Sequence, residues 1–198
     1  MFVADPGLAP RGDDCLYAHP DDTTATGASW RDVLREYNKD YTAAPDDNPH
    51  HLLPAWKLYS PPTYKLLWDR FREKLYILSA GWGLIRADFL TPNYDITFSS
   101  ASNVEKFKRR TLRAKYRDFC LAPTVTPEPI VFFGGKKYVS LFCKLTAAAK
   151  GPRTVYYAGS RPAAPRCTLR SFGKPFTNWH YKCAKLFVRG TSDSHETE

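Results

Sequence analysis

The stretch LYILSAGWGLIRADFLTPNYD, residues 75–95, decides how the chain is read. Its first six residues, 75–80, form a short apolar run ended by Gly81, the pattern of a strand buried on both faces. Gly81 and Gly83 permit a tight turn where a ligand or a second backbone approaches closely. Arg86, Asp88, Asn93, Tyr94 and Asp95 are then expected in a loop beyond the strand's carboxyl end, with Pro92 limiting the loop's freedom. Ligands of open α/β sheets bind at that edge. A plain glycine turn followed by a polar connection fits the same spacing.

Upstream, Trp30, Val33, Leu34, Tyr37 and Tyr41 recur at helical spacing, and Ser29 with Asp32 forms a variant capping box before them. Pro61 and Pro62 can open a second helix carrying Tyr64, Leu67, Trp68 and Phe71. Residues 1–28 have no periodicity and read as irregular. Downstream, Ser102 with Glu105 predicts a capped helix over residues 102–119. Further strands are expected at residues 130–135 (IVFFGG) and 154–159 (TVYYAG). Residues 136–145 and 178–188 read as helices, residues 160–176 as a loop, and residues 191–198 as a frayed tail. Apolar strands alternating with helices predict one α/β domain, residues 1–198, with a mostly parallel central sheet flanked by helices.

Charge is unevenly placed. Residues 1–55 carry 4 basic and 10 acidic side chains, whereas residues 56–190 carry 25 basic and 7 acidic ones, a net +18. Such a field attracts polyanions. Seven cations crowd into the helix predicted over residues 102–119: Lys106, Lys108, Arg109, Arg110, Arg113, Lys115 and Arg117. Nucleic acid is the expected partner, with Lys136, Lys137, Arg166, Arg170 and Lys174 extending the surface. A merely soluble basic face fits the same composition.

Five widely spaced cysteines without a CxxC pair argue against a disulfide framework and against a zinc site. Cys167, His180 and Cys183 come nearest to a metal-ligand set, and thiols in a reducing compartment explain them better. No metal and no cofactor is expected. No apolar run approaches the length of a membrane span, and no secretory signal opens the chain, so a cytoplasmic location without membrane contact is expected.

Ser79, Ala80, Gly83, Leu84, Asp88, Pro92, Tyr94 and the following Asp95 resemble the signature of the YaaA-like superfamily: an apolar strand, Ser-(Ala/Gly)-x-x-Gly-(Leu/Val), then an Asp and a Pro-x-Tyr. Pro54-Ala55 with Leu58-Tyr59-Ser60, and Gly134-Gly135 before Lys136-Lys137-Tyr138, agree with small relatives of that superfamily. The resemblance covers roughly residues 54–145. Those relatives open with an apolar strand and a Ser/Cys-rich turn, for which residues 1–28 offer no clear equivalent. The resemblance implies a DNA-associated role. Superfamily members include DNA-binding proteins of oxidative stress defence and base-excising enzymes, among them anti-phage glycosylases that attack hypermodified bases.

Base excision needs cations for phosphates, a pocket for an extruded base, and a group that activates water or offsets charge at the sugar. Trp82, Tyr94 and Tyr138 can stack on a base, and Asn93 can read its edge, beside Ser79, Gly81 and Gly83. Each aromatic fits a core wall equally. Among the seven acids of the basic body, Asp69, Glu73, Glu105 and Asp118 fall on predicted helices and Glu128 lies between prolines. Asp95 and Asp88 are left as catalytic candidates, with Asp95 as the reactive group and Asp88 as its organiser. A loop hydrogen bond explains Asp88 as well. A Schiff base on Lys136 or Lys137 ranks lower. The expectation is a DNA glycosylase acting on a modified base in anti-phage defence. A non-catalytic DNA-binding protein of oxidative stress protection is the alternative, and an enzyme acting on small nucleosides or nucleotides ranks third.

Overall fold

A computed structural model describes residues 18, 20, 23–59, 61–94, 96–98, 104–111, 117–123, 125 and 127–190, without the side chains of residues 45, 105, 106, 109 and 111. In chain order the elements begin with α1 (Trp30–Tyr41), β1 (Leu53–Pro54), α2 (Ala55–Leu58) and α3 (Pro62–Phe71). There follow β2 (Tyr76–Ser79), β3 (Gly83–Arg86), β4 (Leu90–Thr91), α4 (Val104–Thr111) and β5 (Phe119–Cys120). The last are β6 (Ile130–Phe133), α5 (Val139–Leu145), β7 (Arg153–Tyr157), β8 (Thr168–Ser171) and α6 (Trp179–Val188). Helix α1 starts at its sequence signal, for Ser29 Oγ accepts from Asp32 N at 3.3 Å. Pro62 opens α3, where a missing N–H costs nothing.

Three ladders are parallel: β3 with β5, β6 with β7, and β7 with β8. Two are antiparallel: β1 with β4, and β2 with β3. Successive strand residues point to opposite faces, and the core divides accordingly. Ile77, Ile85, Phe133 and Tyr156 share one cluster with Leu34 of α1, Leu58 of α2, Leu67 of α3 and Cys183 of α6. Leu78, Leu84, Phe132 and Val155 share the other with Val139 and Phe142 of α5. The strands are therefore covered on both faces, an α/β layer arrangement. Each fully buried Leu, Ile or Phe contributes roughly 1.5–3 kcal/mol, so this two-faced burial is the main source of stability.

The expected loop after residue 80 is the first correction. The chain turns at residues 80–82 and returns as β3, with Ile77 opposite Ile85, Ser79 opposite Gly83 and Tyr76 opposite Arg86. Gly83, at φ +86°, makes the reversal possible, and Leu84 and Ile85 supply an apolar return strand. Arg86 and Asp88 therefore lie at the amino end of β2 rather than beyond its carboxyl end. The helix predicted to residue 119 is also corrected: Phe119 and Cys120 are extended and pair with Gly83 and Leu84. Phe119 is drawn there by packing between Trp82, at 6.4 Å between ring centroids, and Phe89, at 5.6 Å. Within the segment read as a loop, residues 168–171 form β8, an outer strand on which only Leu169 packs into the core. Nearly all of the irregular segment 1–28 up to residue 22, and the tail 191–198, lie outside the described residues. No helix among the described residues is long and apolar enough to cross a membrane.

Candidate functional site

The carboxyl end of β2 carries a buried network of hydroxyls. Ser79 Oγ donates to Tyr94 Oη at 2.6 Å and accepts from the backbone of Gly81 at 3.2 Å and of Trp82 at 3.0 Å. The Tyr94 and Tyr59 hydroxyls share a 2.6 Å hydrogen bond. Ser79, Tyr59 and Tyr94 are nearly or wholly buried. Burial pushes the Tyr59 and Tyr64 phenols well above the ordinary tyrosine value, with the hydroxyls of Tyr138 and Tyr181 close enough to add to the effect. The network is thus neutral, and it offers hydrogen bonds without charge.

Buried charge lies beside it. Arg31 of α1 sits 5.9 Å from the centroids of both Trp82 and Phe119, and its Nη2 donates to Gly81 O at 3.4 Å. Arg110 of α4 pairs with Asp118, Nη1 to Oδ1 at 2.9 Å, with side chains only 6% and 3% exposed. The Arg110 guanidinium also lies 4.6 Å from the Phe98 ring, and Phe98 packs edge-on against Tyr138 at 4.7 Å. Buried charges are costly unless paired, and such groups gather at functional sites more often than elsewhere.

The residues expected to form a base pocket are thereby sorted. Ser79, Gly81, Trp82, Gly83 and Tyr94 come together, but as packed core. Trp82 is fully enclosed, so it is not an open stacking surface. A Cβ at Gly81 would stand 2.7 Å from the Tyr94 ring, which shows how tightly that ring closes the turn. Asn93 and Tyr138 are half-buried and border the same edge. Asn93 O accepts from Ala18 N at 2.9 Å, and its side-chain oxygen accepts from Tyr94 N at 3.1 Å.

Asp88 is separated from this group. Its carboxylate receives Arg86 Nε at 2.8 Å and Nη2 as a fork, at the opposite end of the hairpin. Asp95 itself lies outside the described residues. Among the cations, Arg110 is corrected from a DNA contact to a buried ion-pair member. Lys108, Arg117, Lys136 and Lys137 are exposed. The side chains of Lys106 and Arg109, and residues Arg113 and Lys115 altogether, lie outside the described residues. Lys136 follows the glycines that end β6, and its Nζ donates to Ser160 Oγ at 2.8 Å, beyond the carboxyl end of β7. Exposed Arg170, Lys174 and Lys182 lie on β8, the next loop and α6.

Sequence reasoning passed over Tyr59, Arg31 and Asp118. In the sequence Asp118 reads as a helix end, and only its partner eight residues away distinguishes it. Tyr59 carried a faint signal in the Leu58-Tyr59-Ser60 match. His180 opens α6 against Tyr181, ring centroids 4.2 Å apart, and burial lowers its pKa to about 4. Among the described residues no three His, Cys, Asp or Glu side chains gather as a metal site.

At the opposite, amino edge a cavity of about 490 Å3 opens between the starts of β2 and β6, lined by Phe71, Leu75, Tyr76, Ile130 and Phe187 and rimmed by the Lys74–Glu128 ion pair. It is mostly apolar and lacks the convergent polar groups of the carboxyl edge. No family model matches the chain, and no curated protein or solved structure matches it either.

Proposed function

We propose that the chain binds double-stranded DNA and excises a modified base at the carboxyl edge of its sheet, leaving an abasic site. One observation carries the binding: exposed cations from separate elements, Lys136, Lys137, Arg170, Lys174 and Lys182, border the edge that holds the neutral Tyr–Ser network. The cations grip phosphates and the phenols meet an uncharged base. Neutral phenols do not activate water at neutral pH, so the chemistry falls to a carboxylate. Asp118 is tied to Arg110 and acts by positioning that guanidinium against Phe98, which in turn packs on Tyr138. Asp95, next in sequence to Tyr94, is the candidate for offsetting charge at the sugar C1′.

A second reading, a DNA-binding protein of stress protection without catalysis, draws on the pairing of Asp88 with Arg86, which leaves Asp95 as the sole remaining acid of the original pair. Mass spectrometry of bases released from a panel of modified phage DNAs separates the two. Under the first reading a free base appears, Asp95→Asn abolishes it while DNA binding persists, and Asp88→Asn leaves it intact. Binding without release from any DNA in the panel selects the second. Failure to bind DNA at low salt ends both.

A further inference from the structure

Cys143 and Cys167 are 24 residues apart, yet their Sγ atoms stand 3.9 Å from each other. Cys143 is buried on α5, and Cys167 is half-buried just before β8. A disulfide needs about 2.05 Å between the sulfurs, so closure asks for a displacement of about 2 Å, within reach of side-chain rotation. The two backbones are already held together by the buried side chain of Arg153. Its Nη1 donates to Cys143 O at 3.4 Å and to Thr146 Oγ1 at 3.3 Å. Its Nη2 donates to Pro165 O at 3.3 Å and to Arg166 O at 3.4 Å. One guanidinium thus ties the end of α5 to the segment that delivers Cys167, and its positive charge partly offsets the burial that raises the Cys143 thiol.

The geometry points to an oxidation site: we propose that Cys143 and Cys167 react with hydrogen peroxide to close a reversible disulfide between α5 and the start of β8. Cys167, the more accessible thiol, attacks peroxide as its thiolate. An S–O bond forms, the O–O bond breaks, and hydroxide leaves to take up the thiol proton as water, giving a sulfenic acid. Cys143 sulfur then attacks the sulfenyl sulfur. The S–S bond forms as the S–O bond breaks, and a second water leaves with the Cys143 proton. Two thiols and one peroxide yield one disulfide and two waters. Burial pushes the Cys143 thiol up, with Cys167 adding to the effect, which suits Cys143 to the second step rather than the first. Exposed Cys120 donates to Leu145 O at 3.0 Å, Cys167 also donates to Pro165 O, at 3.5 Å, and Cys183 is buried on the inner face of α6.

The test uses the reduced full-length chain treated with hydrogen peroxide, alkylated, digested and analysed by mass spectrometry. The expected product is a peptide pair joined through Cys143 and Cys167, lighter by two hydrogens and restored by a dithiol reductant. The thermal midpoint of the oxidised wild type should rise by about 5–10 °C, because the bridge restrains the unfolded chain. In Cys143→Ser, Cys167 should persist as a sulfenic acid trapped by a cyclic dione. In Cys167→Ser, Cys143 should stay reduced. The proposal is overturned if the wild type goes to sulfinic acid at Cys167 without the joined pair, or if either cysteine links instead to Cys15 or Cys120. The mass readout on wild type does not depend on how the variants fold.

Discussion

Two strands of this molecule end in a pair of glycines, and the pairs have opposite fates. After β2, Gly81 and Gly83 flank Trp82 in a turn that is wholly buried. After β6, Gly134 and Gly135 lead into a 3-10 turn at Lys136–Tyr138 whose first residues are exposed. The first pair reverses the chain into a hairpin and lets β5 run alongside. The second adopts ordinary extended geometry at Gly135, φ −63° and ψ 149°, and passes into α5. A glycine pair after a strand therefore signals close approach only where something approaches. At Gly83 the neighbour is β5, whereas at Gly135 no atom stands within 4 Å of a built Cβ.

Substitution by alanine breaks this comparison most directly. At Gly83 a Cβ would meet Phe119 O at 2.6 Å and Phe119 N at 2.7 Å, on a backbone at φ +86°. Gly83→Ala should cost about 4 kcal/mol or more in urea unfolding, since neither the clash with backbone nor the dihedral can relax. Gly135→Ala should stay within about 0.5 kcal/mol of wild type. Similar losses at both positions would show that the two turns do not differ in the way described.

The buried ion pair next to the first turn should give the second-largest effect. Asp118→Ala leaves Arg110 enclosed without its carboxylate and should cost about 3 kcal/mol in the same measurement. Lys74 and Glu128 form a pair just as short, at 2.7 Å, but in solvent, with side chains 69% and 54% exposed. Glu128→Ala should therefore lie within about 0.5 kcal/mol of wild type.

These two pairs also mark where sequence legibility stopped. The strands at residues 75–80, 130–135 and 154–159 were readable because a strand covered on both faces must be apolar at nearly every position. The capped start of α1 was readable because Ser29 acts on its own neighbours. β3 was missed because Gly83 and Arg86 bracket only two apolar residues, and a hairpin turn through Gly81-Trp82-Gly83 looks locally like a ligand loop. β8 was missed because an outer strand with one inward side chain has no apolar run. In the site, Ser79 and Tyr94 were named together and do meet. The place of Asp88 depends on a hairpin that its local spacing does not reveal, and Arg110 reads as a surface cation because its partner Asp118 lies beyond α4.

A pH titration sharpens the account of the carboxyl edge. His180 holds its proton only below about pH 4, whereas an unfolded histidine takes one up near its ordinary value of about 6.5. The unfolded state thus binds more protons between those values. Stability is complete above about pH 6.5 and falls as the pH drops toward 4, by about 2–3 kcal/mol. Unfolding at stepped pH should give that slope, and His180→Phe should flatten it. An unchanged slope in the variant would mean that this imidazole is not desolvated beside Tyr181.

Removing one hydroxyl from the network should cost less. Tyr94→Phe keeps the ring that closes the first glycine turn but deprives Ser79 and Tyr59 of a partner, for about 1–2 kcal/mol. The glycine turn itself should survive, so the hairpin amides of residues 84–86 should keep their hydrogen-exchange protection.

The smallest effect on folding, and the most informative about the second turn, is expected at the exposed lysines. Lys136 and Lys137 bury little, and Lys136 makes one solvent-exposed hydrogen bond to Ser160. Lys136→Ala and Lys137→Ala should leave the unfolding midpoint unchanged. If the open turn faces DNA, each lysine that contacts a phosphate releases a counterion when bound. Each substitution should then lower the slope of log affinity against log salt by about 1 and weaken all sequences alike. Lys144→Ala, exposed one element further along on α5, serves as the control and should leave the slope unchanged. Equal effects at all three positions would indicate a diffuse basic field. Loss confined to Lys136 and Lys137 would assign the open glycine turn to DNA and leave the closed one to the architecture that supports it.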